Sequence, residues 1–234
     1  MSSLKPIILW GHNSGPNPLK IHIILEELDI PFEHKIIVWE EMKKEPFINI
    51  NPNGRVPAIE DPNTGITLWE SGAIIEYIID NYDKEHKLSY GTSPEKYLIQ
   101  QWIAFQISGQ GPYYGQAVWF YRFHHEKLQS AIDRYVKEIE RVRSVLDMHL
   151  SKSSSGWLVG GKMTVADLSW IMWEQIATFF IGLMDINLEG KYPHYDIWYK
   201  KLLERPTVQK VLAIRTEWLI QNGLIAAEDI AKRA

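Results

Sequence analysis

Two neighbouring stretches of the chain, "NGRVPAIED" at residues 53–61 and "LWESGAI" at residues 68–74, decide how its first part folds. In the first stretch a Val-Pro pair stands at the entrance to an apolar strand, although proline removes a backbone hydrogen-bond donor there. In the second stretch an acid and a serine lie together where apolar residues at helical spacing begin. Taken alone, the proline is typical of an edge strand, and the acid and serine are typical of a helix start. Together the two stretches predict two strands followed by a helix.

The residues before these strands predict a strand, a helix and a second strand. "PIILW" at residues 6–10 is a short apolar run, and "LKIHIILEEL" at residues 19–28 has apolar residues at helical spacing. "FEHKIIVW" at residues 32–39 is typical of a strand, and because a helix connects it to the first strand, the two can pair in parallel. A Pro-Asn-Thr-Gly turn predicts that the next two strands form a hairpin. With a third helix over "ESGAIIEYIIDNY", residues 70–82, the order is βαβ followed by ββα.

The character of the sequence changes at residues 83–92, which are polar and rich in turn formers. The rest of the chain has helical spacing and no convincing alternating strand. It includes a long amphipathic segment at residues 127–150 and a capping box from Thr164 to Asp167, which opens a further helix. We therefore predict an α+β domain at residues 1–84 and an all-helical domain at residues 93–234.

The composition excludes several classes of protein. A net charge of −4 over 234 residues gives no general reason to expect binding to nucleic acid or to an anionic membrane. The chain has no cysteine, so disulfides, thiolate zinc sites and cysteine nucleophiles are excluded, and any thiol chemistry has to use a thiol brought by a ligand. His124, His125 and Glu126 do not have the spacing of a metal site, because adjacent helical residues do not face one another. Without a signal peptide or membrane span in the sequence, we expect a soluble, cytoplasmic protein that holds no metal.

The order of elements, with Val-Pro before the third strand and Glu-Ser at the third helix, resembles the cytosolic glutathione transferase superfamily. The motifs "NPNGRVPAI", "LWESGAIIEYI" and "WLVGGKMTVADL" extend this resemblance over essentially the whole chain. "SGPNPLK", "WESGAI" and "GQGPYYGQA" are most similar to the fungal branch related to the nitrogen-regulatory prion protein, and to the bacterial nu class. The resemblance implies a thioredoxin-like, glutathione-binding domain at residues 1–84. It implies an all-α helical-bundle domain at residues 93–234 that carries the pocket for a second substrate.

The resemblance also implies where glutathione binds. The bond between Val56 and Pro57 would be cis, and the Val56 main chain would pair with the cysteinyl part of glutathione like a short added strand. Ser71, at the helix start, would bond the γ-glutamyl carboxylate through its hydroxyl and amide, aided by the helix N-terminus. Glu70 would take the γ-glutamyl ammonium.

Two further groups of side chains fit more than one interpretation. Basic residues near the Val-Pro pair are candidates for the glycine carboxylate of glutathione, and solvated surface charge explains each equally well: Lys43, Lys44 and Arg55. Aromatic residues of the helical domain are candidates for the lining of the second-substrate pocket, and core packing explains them equally well: Trp119, Phe120, Tyr121 and Phe123.

The resemblance implies that the loop after the first strand supplies the residue that activates the thiol. Many members of the superfamily use a tyrosine, serine or cysteine there, but this chain has no cysteine and its first tyrosine is Tyr77. The resemblance to the fungal branch points to Asn17 as the thiol-contacting residue, at the N-terminal end of the first helix. Ser14 is the alternative, and Asn17 could also serve as a turn or cap residue.

The resemblance implies a glutathione transferase with a role in detoxification, which activates the glutathione thiol for attack on an electrophile, a peroxide or a disulfide. Glutathione would be a co-substrate, and the protein would be a homodimer. The alternatives are a non-catalytic glutathione- or protein-binding regulator of the same fold, or a structural module without an intact glutathione site.

Overall fold

A computed structural model of the protein describes residues 4–184 and 186–225. The strands are β1 (Ile7–Gly11), β2 (Phe32–Ile36), β3 (Ala58–Asp61) and β4 (Ile66–Trp69). The α-helices are α1 (Pro16–Glu27), α2 (Phe47–Ile50), α3 (Ser71–Tyr82), α4 (Glu95–Phe105), α5 (Gly111–Val118), α6 (Gln129–Leu150), α7 (Val165–Leu168), α8 (Ile171–Leu183), α9 (Pro193–Leu203) and α10 (Pro206–Gln221). A 3-10 turn (Trp39–Glu41) and two π-helical turns (Gln106–Gln110 and Trp119–Phe123) complete these elements. No helix of the described part is long and apolar enough to cross a membrane.

The chain divides into two compact units. The first unit contains the residues up to Tyr77 together with those from Glu204 onward, and the second unit is Ile78–Leu203. This division differs from the predicted domains, which assigned all of 93–234 to one helical domain. The last helix, α10, packs on α1 and therefore belongs with the unit that contains the sheet.

The sheet of the first unit has the strand order β2-β1-β3-β4. β1 pairs in parallel with β2 and antiparallel with β3, and β3 and β4 form an antiparallel hairpin. The predicted βαβ-ββα order is thereby confirmed, with the 3-10 turn and α2 as additions between β2 and β3. β1 lies in the middle of the sheet, which is why its sequence is a nearly continuous apolar run.

Helix α1 is buried on most of its surface, and its last turn is tied to α10. Arg205 donates from two nitrogens to the two carboxylate oxygens of Glu27, each at 2.6 Å, and Glu27 is buried. Lys210 donates to Glu26 at 2.7 Å. A two-pronged bond between arginine and a carboxylate fixes orientation as well as distance, so these contacts hold α1 in place from its C-terminal end.

The second unit is built around α6, whose buried residues recur every three or four positions and form one apolar face. The predicted capping box is present: the Thr164 hydroxyl accepts from the Ala166 N–H, and Asp167 accepts from the Thr164 N–H at 2.8 Å. It opens α7, which has four residues, and α8 begins separately at Ile171.

Candidate functional site

The loop before β3 is held in shape by Asn51. The buried Asn51 side chain donates to the Arg55 carbonyl at 2.6 Å and accepts from the Asn53 N–H at 2.9 Å. Gly54 has a φ of +59°, and a Cβ there would lie 2.7 Å from the Met42 carbonyl oxygen, so glycine is required. This loop leads directly to the bond between Val56 and Pro57, which is cis, as the resemblance implied.

Within the described residues, Val56 has an unpaired main-chain N–H and C=O just before the start of β3. It is half-buried, and its N–H and C=O form no hydrogen bond with the described residues. The strand proper begins two residues later, at Ala58. A main-chain donor and acceptor on one residue beside a strand can pair with an extended peptide.

Glu70 stands just before α3 in a left-handed backbone conformation with a φ of +71°. For a residue other than glycine this conformation costs on the order of 1–3 kcal/mol, and such strain concentrates at ligand sites. Its carbonyl accepts from the Ile74 N–H at 2.9 Å, which starts the helix. Its side chain is exposed, and within the described ranges its carboxylate has neither a hydrogen bond nor an ion pair.

Ser71 is the first residue of α3 and is buried, with 5% of its surface exposed. Its hydroxyl has no hydrogen-bond partner among residues 4–184 and 186–225. The N–H groups of the first turn of a helix lack intrahelical partners and attract anions. Glu70 and Ser71 therefore place an acceptor for a cation directly beside donors for an anion, which matches an amino acid head group.

Lys20, on α1, is fully buried and interacts electrostatically with Glu70. Burial lowers the pKa of Lys20 to about 7, against the opposing attraction of the Glu70 carboxylate. The charge of this lysine is therefore sensitive to any change at Glu70 near neutral pH.

Helix α1 presents Asn17 in its first turn. The N-cap is Gly15, so Asn17 is not the N-cap residue. Pro16 and Pro18 lack an N–H, so Asn17 carries the only main-chain N–H among the first three helical positions. Asn17 thus combines a side-chain NH₂ with an amide at the positive end of a twelve-residue helix.

Ser14 lies in the loop between β1 and α1 and contacts His12. The Ser14 hydroxyl oxygen is 2.7 Å from Nδ1 of His12, and the Ser14 N–H donates to the same nitrogen at 3.2 Å. His12 is buried and packs against the rings of Trp39 and Trp218, at centroid distances of 5.1 and 4.6 Å. The alternative thiol residue is therefore bound to an imidazole.

The basic candidates behave differently from one another. Lys43 donates to the Asn53 carbonyl at 2.6 Å and so supports the loop before β3. Lys44 and Arg55 are exposed, and their side chains have no partner in the described part of the chain. Among the three, Lys44 and Arg55 are available to an anion without losing a protein contact.

The four aromatic candidates of the second unit lie in and around one π-helical turn, Trp119–Phe123. Phe120 stacks on Tyr135, and the Tyr121 hydroxyl donates to the Leu183 carbonyl, so these two are engaged in packing. Trp119 and Phe123 are 50% and 60% exposed.

A buried ionic cluster lies deeper in the second unit, around Glu174. One of its carboxylate oxygens accepts from Gln110 at 2.9 Å and from Tyr114 at 2.7 Å. The other accepts from Arg143 at 3.0 Å and from Tyr195 at 2.7 Å. Burial and the negative charge of Glu174 raise the pKa values of both phenols well above their ordinary value. Each carboxylate oxygen accepts two hydrogen bonds, so this cluster is a structural network and leaves no site for a ligand.

The described residues, 4–184 and 186–225, contain no group of three or more histidine, aspartate or glutamate side chains placed to hold a metal ion. The imidazole of His125 lies 3.7 Å from Glu126, and both side chains are largely exposed.

Known protein families match both units of the chain. Residues 5–80 match the family model "Glutathione S-transferase, N-terminal domain". Residues 114–215 match the model "Glutathione S-transferase, C-terminal domain". The chain belongs to the glutathione S-transferase family. The predicted superfamily and the thioredoxin-like and helical fold classes are thus confirmed.

Within the glutathione S-transferase family, the chain is similar to fungal proteins of the Ure2-like branch. "Glutathione S-transferase-like protein tpcF" of Aspergillus fumigatus is 50% identical over 222 residues, which cover 91% of this chain and 97% of that protein. Glutathione transferase URE2P6 from Phanerochaete chrysosporium, solved in complex with oxidized glutathione, is 45% identical with a TM-score of 0.84, covering 91% and 97% of the two chains. Ure2p5 from the same organism, cocrystallized with 1-(S-glutathionyl)-2,4-dinitrobenzene, is 37% identical with a TM-score of 0.84, covering 94% and 99%.

The structure adds three site residues that the sequence did not single out: His12, Lys20 and Asn51. Asn51 lies within "NPNGRVPAI" and was available as a loop residue. Lys20 had one visible signal, because it is the only lysine or arginine inside the apolar run "LKIHIILEEL". The contact between His12 and Ser14 depends on the shape of the loop, which residue types alone do not determine.

Proposed function

We propose that this family member is an enzyme, a glutathione transferase that binds glutathione in its first unit and activates the glutathione thiol. The observation that carries the proposal is the Glu70-Ser71 pair. A strained backbone holds a carboxylate without a described protein partner beside a buried serine at a helix start. A protein has no reason to retain this arrangement for stability, whereas the γ-glutamyl end of glutathione supplies the missing ammonium and carboxylate.

The rest of glutathione fits the same edge of the unit. The cysteinyl main chain pairs with the N–H and C=O of Val56, beside Pro57. Lys44 and Arg55, two exposed cations near Val56 in the sequence, are available to bind the glycine carboxylate. The two related structures that hold oxidized glutathione and a glutathionyl conjugate support this ligand class.

Thiol activation takes place at the start of α1, with Asn17 as the main side-chain donor. A free thiol has a pKa of about 8.5, and lowering it to about 6.5 requires roughly 2.7 kcal/mol of preferential stabilisation of the thiolate. The helix terminus contributes roughly 0.3–1 kcal/mol, rising to about 2 in a partly buried position. A hydrogen bond to a charged acceptor adds roughly 1.5–3 kcal/mol. These contributions together suffice without a metal or a protein base.

The proposal is tested with 1-chloro-2,4-dinitrobenzene. The thiolate sulfur attacks the ring carbon that bears chlorine, the C–S bond forms, the C–Cl bond breaks and chloride leaves. We expect the protein to accelerate this reaction, or the parallel reduction of a peroxide or small disulfide, and Glu70→Ala to abolish the acceleration at low glutathione concentration. Glutathione binding in calorimetry without any of the three reactions would favour the regulator over the enzyme. Absence of binding would contradict the proposal altogether.

We also propose that the protein forms a homodimer. Several large apolar side chains of the second unit are exposed and are available to a second copy: Tyr97, Ile107, Trp119 and Phe123. Light scattering at micromolar concentration is expected to give twice the monomer mass, and a monomeric mass would contradict the dimer.

A further inference from the structure

We propose that His12 is a positioning residue of the thiol site, which uses the lone pair on its Nδ1 to hold the hydroxyl and the amide of Ser14 and so leaves Asn17 as the side-chain donor to the thiolate. The inference rests on the proposed function, because the thiolate in question is that of glutathione. Its first step, the hydrogen bonding within the loop, can be measured on the protein without any ligand.

The hydrogen bonds of Ser14 determine which nitrogen of His12 carries the proton. A main-chain N–H is always a donor, and the Ser14 N–H points at Nδ1 of His12 at 3.2 Å. Nδ1 therefore bears no hydrogen and acts as an acceptor. The Ser14 hydroxyl, 2.7 Å from the same nitrogen, has to be the donor of that contact.

This assignment restricts what Ser14 can do for a thiol. A hydroxyl has one proton, and in this geometry it is committed to His12. Its oxygen still has a lone pair, which can accept from a protonated thiol but cannot stabilise a thiolate. Accepting from S–H favours the neutral thiol and raises its pKa. Asn17 carries an NH₂ group and a helix-terminal amide, and donors of this kind lower the pKa of a thiol.

His12 also fixes the shape of the loop that leads into α1. Its carbonyl accepts from the Gly15 N–H at 3.0 Å, so the residue closes the turn with main chain and side chain together. The rings of Trp39 and Trp218 hold the imidazole from two sides. Gly15 is the N-cap of α1, so the orientation of His12 determines where the helix begins and where Asn17 lies.

Protonation of His12 would undo this arrangement, because Nδ1 would become a donor and could accept from neither group of Ser14. Burial lowers the pKa of His12, and the nearby carboxylate of Glu40 opposes this effect. The positive charge of protonated His12 lowers the pKa of His34 on β2, so the two imidazoles repel each other when both are protonated. The two tryptophans that pack against His12, Trp39 and Trp218, are uncharged. The imidazole is therefore neutral at pH 7, and the loop arrangement is lost only on acidification.

The first experiment needs no glutathione. Long-range ¹H–¹⁵N NMR of the ligand-free protein distinguishes protonated from unprotonated imidazole nitrogens. At pH 7 we expect the His12 ring to carry its proton on Nε2 and to have a bare Nδ1. A proton on Nδ1 at pH 7 would overturn the inference whatever the protein does with glutathione.

The second experiment compares two substitutions of His12. Asparagine carries its carbonyl oxygen at about the position of Nδ1 and cannot be protonated in this range, whereas phenylalanine keeps the ring and removes the acceptor. We expect His12→Phe to lower kcat/KM at pH 7 about 10-fold, since two half-buried donors of Ser14 lose their acceptor, and His12→Asn to stay within about 3-fold of the wild type. The exposed His125, changed to Asn, is the matched control.

The pH profile separates positioning from mere packing. As the pH falls through the pKa values of the thiol and of His12, log kcat/KM of the wild type is expected to fall by about one unit more in total than that of His12→Asn, whose profile follows the thiol alone. In Ser14→Ala, the pKa of the bound thiol is expected to rise by less than half as much as in Asn17→Ala. Equal profiles in wild type and His12→Asn, or a larger pKa change in Ser14→Ala, would overturn the inference. Absence of any thiolate in the wild type would contradict the proposed function instead, and the NMR result on His12 would still decide the loop geometry.

Discussion

Two groups of ionisable side chains, the cluster around Glu174 in the second unit and a set of basic residues in the first unit, are compensated in opposite ways. In the second unit, four donors satisfy the fully buried Glu174, and Arg143 provides its counter-charge. In the first unit, burial lowers the pKa values of four basic side chains and so favours their neutral forms: His12, Lys20, His22 and His34. Nδ1 of His22 and Nε2 of His34 are buried without a hydrogen-bond partner in the described structure.

This difference teaches how burial of a polar group should be interpreted. A buried charge with a full set of partners contributes to a rigid core, and removing one partner leaves the others uncompensated. A strained backbone that presents a carboxylate without a hydrogen bond or ion pair to the described residues, as at Glu70, costs stability and is expected at a ligand site. The two regions should therefore respond differently to the same kind of substitution.

The largest effect is expected from Glu174→Gln. The substitution removes the counter-charge of Arg143, and breaking a buried pair in this way costs about 3–5 kcal/mol. Urea unfolding followed by tryptophan fluorescence would measure the loss. Glu126→Gln, on an exposed side chain, is the control and is expected to change the free energy of unfolding by less than about 0.5 kcal/mol. Equal unfolding curves for wild type and Glu174→Gln would contradict the structural role of the network.

For Glu70→Ala we expect a large loss of glutathione binding and little change in the free energy of unfolding. Losing one partner of a desolvated charge pair costs about 2–5 kcal/mol of glutathione binding, while the fold loses only the electrostatic attraction between the Glu70 carboxylate and Lys20. Glu70→Gly should also lose binding but gain stability, because glycine adopts a φ of +71° without strain. Calorimetry gives the affinity, and Glu76→Ala on the exposed face of α3 is the matched control. An unchanged dissociation constant in Glu70→Ala would remove Glu70 from the site.

Acidification is expected to weaken the protein through the histidines of the first unit. The folded-state pKa of His34 is about 4, lowered mainly by burial, against 6.5 in the unfolded chain. Between these values the unfolded state binds a proton that the folded state does not, so stability is complete above pH 6.5 and falls as the pH drops towards 4. The loss from His34 is on the order of 3 kcal/mol, and His12 and His22 add to it in the same direction.

Unfolding midpoints in urea between pH 7.5 and pH 4 test this dependence. His34→Phe removes one titrating group and should flatten the curve, whereas His125→Phe, at an exposed position, should leave its slope unchanged. A slope that His34→Phe does not alter would show that other groups control acid stability.

The sequence was sufficient for the features that depend on local pattern. The βαβ-ββα order, the start of α3 at Ser71 and the capping box at Thr164 all follow from apolar spacing and turn residues. Features that depend on long-range contacts were not predictable. The Glu27–Arg205 pair joins residues 178 positions apart, so the assignment of α10 to the first unit could not be read from composition.

The candidate site likewise has some features that the local sequence pattern predicts and others that it does not. Val56 and Pro57 precede β3 and Asn17 lies in the first turn of α1, in the elements that the sequence predicted. The left-handed conformation of Glu70 has no sequence signature, because that conformation is usually taken by glycine. Lys20 lies in an apolar run of the sequence, and only the fold shows that it is fully buried and interacts electrostatically with Glu70.

The most direct test of the central claim is the ultraviolet absorbance of bound glutathione thiolate as a function of pH. The wild type is expected to titrate at about pH 6.5, and Asn17→Ala should raise the apparent pKa by about one to two units, because a donor to the thiolate is lost. Attack on an electrophile should slow near neutral pH and recover in part at high pH. If the Asn17→Ala curve coincides with that of the wild type while Ser14→Ala shifts it, Ser14 activates the thiol and the assignment to Asn17 is wrong.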